Sequence, residues 1–173
     1  MGELFRVLLM IIHLTVAALW LGSMSYSLAI VQPKVAAFFS DPEDRERFLV
    51  LLAHGNRWRV IGLVAVLIVT GLAIAISSGG LATIGFAVAL LLYAAATGIF
   101  WYVSWRHWPT RIFAVSEELP GFQRRLHVLA STMLLLVAMA FVVALTVSVG
   151  LRYCLDPPEN LVCQPCRDRG DVS

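Results

Sequence analysis

Residues Leu4 to Val31 read LFRVLLMIIHLTVAALWLGSMSYSLAIV, and after Arg6 no charged side chain interrupts them. About 20 apolar residues, rising 1.5 Å each, cross the roughly 30 Å of a bilayer's hydrocarbon core, so this run is long enough to span it. Val60 to Ser78, Leu81 to Trp105 and Val128 to Leu151 repeat the pattern. Lipid offers backbone amides no partner, whereas a helix satisfies its own. The four runs therefore predict an all-α fold, an integral membrane four-helix bundle. A secretory signal peptide is the other reading of the first run, but the run is too long for an h-region and has no early small-x-small cleavage site, so it is kept as a helix.

Composition agrees with lipid as the solvent. Of 173 residues, 60% are hydrophobic and 14% charged, with a mean hydropathy of +0.83, which leaves too little polar surface to cover a soluble globule. The expected organisation is a transmembrane domain over 1–151, with cytoplasmic helical extensions near 42–57 and 117–127, and a short extracytoplasmic tail over 152–173. A net charge of +2 points to no nucleic acid, because topology and anionic lipid account for the arginines. Lys34, Arg45, Arg47, Arg57 and Arg59 lie between the first two runs, and Arg106, Arg111, Arg124 and Arg125 between the last two. Arg6, Arg152, Arg167 and Arg169 fall elsewhere. Basic residues collect on the cytoplasmic side, which predicts a multi-pass protein of the inner membrane with both termini outside. Trp58, Trp101, Tyr102, Trp105 and Trp108 gather at the expected inner boundary, where amphipathic rings settle.

The helix ends are legible from their capping chemistry. Asp41-Pro42-Glu43-Asp44 reads as an N-cap, a proline in the first turn and acidic groups over the positive dipole end, so the second helix starts well before the membrane. Ser116-Glu117-Glu118 and Pro120 announce the last helix, and Pro109 closes the third. Within the spans Gly22, Ser23, Gly71 and Gly98 are small enough to let another helix approach, and packing is their expected role.

Chemistry has few places to reside. Apart from His13, the spans contain no ionisable side chain that must sit deep in lipid, which argues against an ion-coupled transporter, and no acid-base pair, nucleophile or phosphate loop emerges. His13 lies well inside the first span, whereas His54, His107 and His127 fall near the cytoplasmic ends of the other three. Those three are candidate ligands for haem or a metal at one level, or else residues that solvate helix ends. Met10 is one turn from His13, and Met139 lies at similar depth on the fourth helix. A His and Met set suits haem or Cu(I). The competing reading is a histidine hydrogen-bonded to a hydroxyl or to backbone, with methionines filling gaps.

His13 to Pro33 opens His-Leu-Thr-Val-Ala-Ala-Leu-Trp-Leu-Gly and closes Val-Gln-Pro. It resembles the first helix of the copper-resistance protein D family and of the related HemJ-type membrane proteins, in which a helix-one histidine is followed by Trp-x-Gly. Arg57 or Arg59 ahead of a span containing Thr70-Gly71-Leu72 extends the likeness. Phe122 to Ser131, Phe-Gln-Arg-Arg-Leu-His-Val-Leu-Ala-Ser, is similar to the start of the last helix in a bacterial four-helix family of unknown function. The resemblance implies a four-helix relative of copper-handling and haem-associated proteins. HemJ-type proteins, similar at His13, Trp20 and Gly22, bind b-type haem in porphyrin oxidation. A lysine associated with the third helix of that group has no counterpart, since Lys34 is the single lysine here, so the oxidase activity is not carried over. Copper-resistance D proteins usually have more helices, which counts against copper import.

Cys154, Cys163 and Cys166 mark the tail. Cys163-Gln-Pro-Cys166 is not followed by histidine, which excludes a covalent c-haem motif, and three thiolates leave a structural zinc site one ligand short. An extracytoplasmic tail favours a disulfide from Cys154 to Cys163 or Cys166. Two classes of function stand at this point. One is a non-catalytic membrane subunit or assembly factor that contacts other membrane-protein subunits, and the alternative is a protein binding haem b or copper in redox or metal handling.

Overall fold

The computed structural model describes residues 2–78, 80–107 and 119–155. Helix α1 covers Gly2–Tyr26 and runs on through a π-helical segment, Ser27–Val31, into α2, Gln32–Phe38. Helix α3 is Pro42–Ser77 and α4 is Leu81–Tyr102, the latter extended by a second π-helical segment, Val103–His107. Helix α5 is Leu119–Leu155. Every apolar run is helical, and four helices are long and apolar enough to cross a membrane.

The helices overrun the apolar runs, for local reasons. Pro33 would ordinarily break the ladder, since it lacks an N–H and its ring collides with the carbonyl four residues back. Here the widened π segment ends just before it, with Gln32 N–H bonding to Ser27 O, and the chain stays helical as far as Phe38. Phe39 is then extended, at φ −93° and ψ 118°. Asp41 O accepts Arg45 N–H at 3.2 Å, which starts α3 with Pro42 in its first turn. The helical extension expected near 42–57 is therefore continuous with the second span. That near 117–127 is helical from Leu119, its first two residues lying outside the described part.

The α3–α4 hairpin is tight. Gly80 takes φ +59° and ψ −132°, a conformation side chains resist. Thr83 Oγ1 donates to Ser78 O at 2.6 Å across the turn.

The spans form a ring in which α1 and α4 each pack between α3 and α5, with α4 against α5 the most extensive contact. Helices α1 and α4 thus face each other across the bundle axis, and large side chains fill the space between them. Trp20, Leu67, Ile74, Phe86, Tyr93 and Val137 are the large apolar and aromatic side chains most completely buried. Alanines such as Ala17, Ala89, Ala96, Ala140 and Ala144 allow close approach elsewhere. Outward, the surface is apolar: only 17–39% of each span's most apolar stretch is buried within the chain, and Val69, Ile84 and Leu91 stand exposed. Such a surface suits the hydrocarbon of a bilayer, as four helices of this length and composition in a multi-pass membrane protein would require.

Gly85 on α4 is the closest point of that packing, because a Cβ there would collide with Val147 Cγ2 on α5. Valine is stiff about χ1 and cannot swing aside. Gly85→Val is expected to destabilise the bundle by about 1–3 kcal/mol, and adding Val147→Ala to recover much of the loss, because the two sites share one contact. Denaturant titration in mixed micelles, followed by circular dichroism, checks both.

Candidate functional site

His13 is only 1% exposed and sits in the middle of the bundle. Its Nδ1 lies 2.9 Å from Thr70 Oγ1 on α3. The single hydroxyl hydrogen of Thr70 is committed to its own helix, donated to Val66 O at 2.7 Å with Leu67 O at 3.3 Å. In the arrangement where that bond is kept, Thr70 accepts and His13 Nδ1 donates. A neutral imidazole has one donor and one acceptor, so the lone pair is assigned to Nε2, which has no partner in its buried position.

Aromatic rings from α4 enclose this imidazole. Phe86 and Tyr93 meet it edge-on, with centroids 6.2 and 5.9 Å away and planes at 75°. Trp20, two turns after His13 on the same helix face, stacks on Tyr93 at 6.1 Å. Gly71 makes room: a Cβ there would stand 3.0 Å from His13 Cε1 and 2.9 Å from Leu90 Cδ2. The Tyr93 hydroxyl and the Trp20 indole N–H are buried and unpartnered as well. Each such group costs about 1–3 kcal/mol, and three in one contiguous aromatic cluster mark a place where a bound group would find hydrogen-bonding or ligating partners.

Towards the end of the bundle where Ser104 lies, an open cleft of about 200 Å³ begins at Trp20. Met24, Val60, Phe100 and Met133 form its apolar wall, and Ser23, Ser27, Asn56, Arg57 and Ser104 its polar side. Arg57 donates through Nη2 to Ser104 O at 2.6 Å, and its guanidinium lies 4.7 Å over the Trp105 ring. Trp105 in turn stacks on Trp101 at 4.0 Å. At the opposite end Arg6 donates to Ser77 O at 2.6 Å, beside the α3–α4 hairpin.

The other candidates lie on different helices. Met10 is buried one turn before His13, whereas Met139 is half-exposed on the outside of α5, so the core methionine near this histidine is Met10. His127 is exposed on α5. His54 and His107 are placed in helix by the backbone, but their side chains lie outside what is described. Cys154 falls in the last turn of α5, and Cys163 and Cys166 are outside the described residues. Among the described residues no three His, Cys, Asp or Glu side chains cluster as a metal site would need. Gly71 is a packing point, but a Cβ at Gly22 or Gly98 would meet nothing within 4 Å, and Ser23 is exposed, its hydroxyl donating to Trp20 O at 2.8 Å.

The hydroxyl that holds His13 comes from α3, not from Thr15 near it in sequence, which is exposed. Phe86 and Tyr93 were not singled out from the sequence. The available signal was Tyr93 itself, a polar-tipped ring in the middle of Leu-Leu-Leu-Tyr-Ala-Ala-Ala.

Fold and site together define a multi-pass four-helix membrane protein with one fixed imidazole at its centre. No family model, curated protein or solved structure matches the chain. Haem, the group the resemblance implies, matches the donor chemistry alone: Nδ1 of this imidazole is held and Nε2 is free, but Phe86 and Tyr93 close in on the ring and the cleft does not reach it, so a porphyrin could bind there only if those side chains moved.

Thr70→Val keeps the shape and removes the acceptor. It is expected to cost about 1–3 kcal/mol by leaving Nδ1–H unsatisfied, while Thr70→Ser retains most of the stability. Unfolding in detergent separates the two.

Proposed function

We propose that the chain is a b-type haem-binding membrane protein in which His13 Nε2 would hold the iron and Thr70 would orient the imidazole. The observation that supports this most is the unpartnered Nε2 on a ring whose other nitrogen is already committed. One imidazole suffices to hold haem iron. Copper wants several nitrogen or sulfur ligands at one point, whereas Met139 lies on the outer surface and Met10 is the single buried methionine one turn from His13. The haem would supply one-electron redox chemistry. Tyr93 and Phe86 would exclude water around it.

A second reading, a non-catalytic subunit or assembly factor of a larger membrane complex, draws on Gly22 and Gly98. Both are exposed, with open space where a Cβ would be, and small residues on a lipid-facing helix permit close approach by a partner helix.

The protein, purified in mild detergent after expression with ample haem supply, should give a reduced-minus-oxidised b-type spectrum. His13→Ala should abolish it, and Thr70→Val should weaken haem affinity by about 10–100-fold, the usual cost of losing a ligand's orienting partner. A featureless wild-type spectrum with stoichiometric co-purifying proteins would favour the subunit reading. Haem retained in His13→Ala and lost in His54→Ala or His127→Ala would move the ligand to the other end.

The orientation we favour places the Arg57 and Trp105 end in the cytoplasm and both termini outside, by the distribution of basic and aromatic residues. In that arrangement Cys154 is free to pair with Cys163 or Cys166. After reduction, a membrane-impermeant maleimide should label the cysteines of intact cells from outside. Labelling only in inverted vesicles would reverse the topology.

A further inference from the structure

The cleft beside Arg57 has no role in holding His13, yet three independent features of the fold converge on it. Both π-helical segments border it, one through Ser27 and the other through Val103 and Ser104. A π turn shifts the register of carbonyls and side chains by one residue and is found most often where a helix serves function. The second feature is charge. Arg57 is half-buried, spends one donor on Ser104 O, and makes no other hydrogen bond among the described residues. A guanidinium has five N–H donors in a planar fork suited to phosphate or carboxylate. The third is Trp20, which is 1% exposed, lines the cleft, and has an indole N–H without a partner.

We propose that this cleft is a headgroup site for an anionic phospholipid, its phosphate held by Arg57. The level is that of an interface: stacked Trp101 and Trp105 lie beside Arg57, and Trp58 next to it in sequence is exposed, as expected where headgroups meet hydrocarbon. The size agrees. At about 200 Å³ the cleft falls below the 300–1,000 Å³ typical of sites that enclose a whole drug-sized ligand, but it can take a headgroup whose acyl chains remain in the bilayer along the apolar outer surface. The inference goes beyond the haem reading and stands or falls apart from it.

The test uses the full chain, delipidated in detergent, with phosphatidylglycerol, phosphatidylcholine or soluble glycerol phosphate added back. Thermal unfolding and native mass spectrometry are the readouts. Phosphatidylglycerol should raise the midpoint by about 5 °C at concentrations about a hundredfold above its Kd and should appear as a retained adduct, while phosphatidylcholine does neither. Arg57→Gln should remove the preference, and Arg59→Gln, an equal loss of charge at an exposed neighbour, should keep it. Because Arg57 also ties Ser104 O, Arg57→Gln can fail to fold; Ser27→Leu, which crowds the cleft and leaves Arg57 in place, should then remove the preference alone. His13→Ala should leave it intact, which separates this site from the haem reading. Equal stabilisation by both lipids, equal loss in Arg57→Gln and Arg59→Gln, or a preference that survives Ser27→Leu would overturn the proposal. A full shift with glycerol phosphate alone would overturn the lipid as its source and leave a free-anion site.

Discussion

Inside a bilayer no solvent is at hand to satisfy a polar group, so each one carried into the hydrocarbon must be answered by the chain itself. Most of the hydroxyls in these spans obey by bonding back onto their own helix. Thr97 donates to Tyr93 O at 2.7 Å, Ser148 to Ala144 O at 2.7 Å and Thr146 to Val142 O at 3.0 Å. These residues are polar by composition and nearly silent in the energetics of the bundle. Thr70 does the same and then offers its oxygen to a second helix, which makes it the point where the internal bonding of α3 decides the tautomer of a histidine on α1. Removing the hydroxyl would thus disturb two helices through one atom.

The exceptions to that rule are informative by their placement. Arg45 Nε near the start of α3 and Ser78 Oγ at the α3–α4 hairpin stand apart near the helix ends, whereas His13 Nε2, Tyr93 OH and Trp20 Nε1 belong to rings in contact with one another, His13 to Tyr93 and Tyr93 to Trp20. Scattered orphans would read as loose packing, but a connected set between facing helices leaves its unmet hydrogen-bonding capacity in one region. The two bundle ends are finished differently. There, an arginine reaches a carbonyl on a neighbouring helix or beside the hairpin, Arg6 to Ser77 and Arg57 to Ser104, and the long stems cover apolar surface while the charged heads stay near the ends.

How much of this was legible in the sequence depends on the dimension asked about. Depth along the membrane normal was readable, because hydropathy and basic residues report it. The four apolar helices and the distance of His13 from the helix ends follow from hydropathy, and the early start of α3 at Pro42 follows from its capping residues. Rotation about each helix axis was not readable, because it is set by the partner helix. Gly22 and Gly71 look alike in sequence, yet one faces open space and the other lies against His13 and Leu90. Met10 and Met139 likewise lie at comparable depth, one buried and one half-exposed. The π segments were invisible for a related reason: one residue of extra register leaves no compositional trace, and Pro33 was the single hint that the ladder upstream had to be irregular.

The two irregular segments bear on how the centre and the cleft are connected. Trp20 belongs to both, stacking on Tyr93 inwards and lining the cleft outwards. A group bound in the cleft would lie on the Trp20 side of that pair, and a group held at His13 on the Tyr93 side. Beyond Trp20 and Phe100 the two helices pass into the π segments, so the change of register falls beside the cleft and not beside the imidazole. The aromatic pair is thus one described side-chain connection between the cleft and the buried imidazole, and the environment of Trp20 is where a coupling between them would be read.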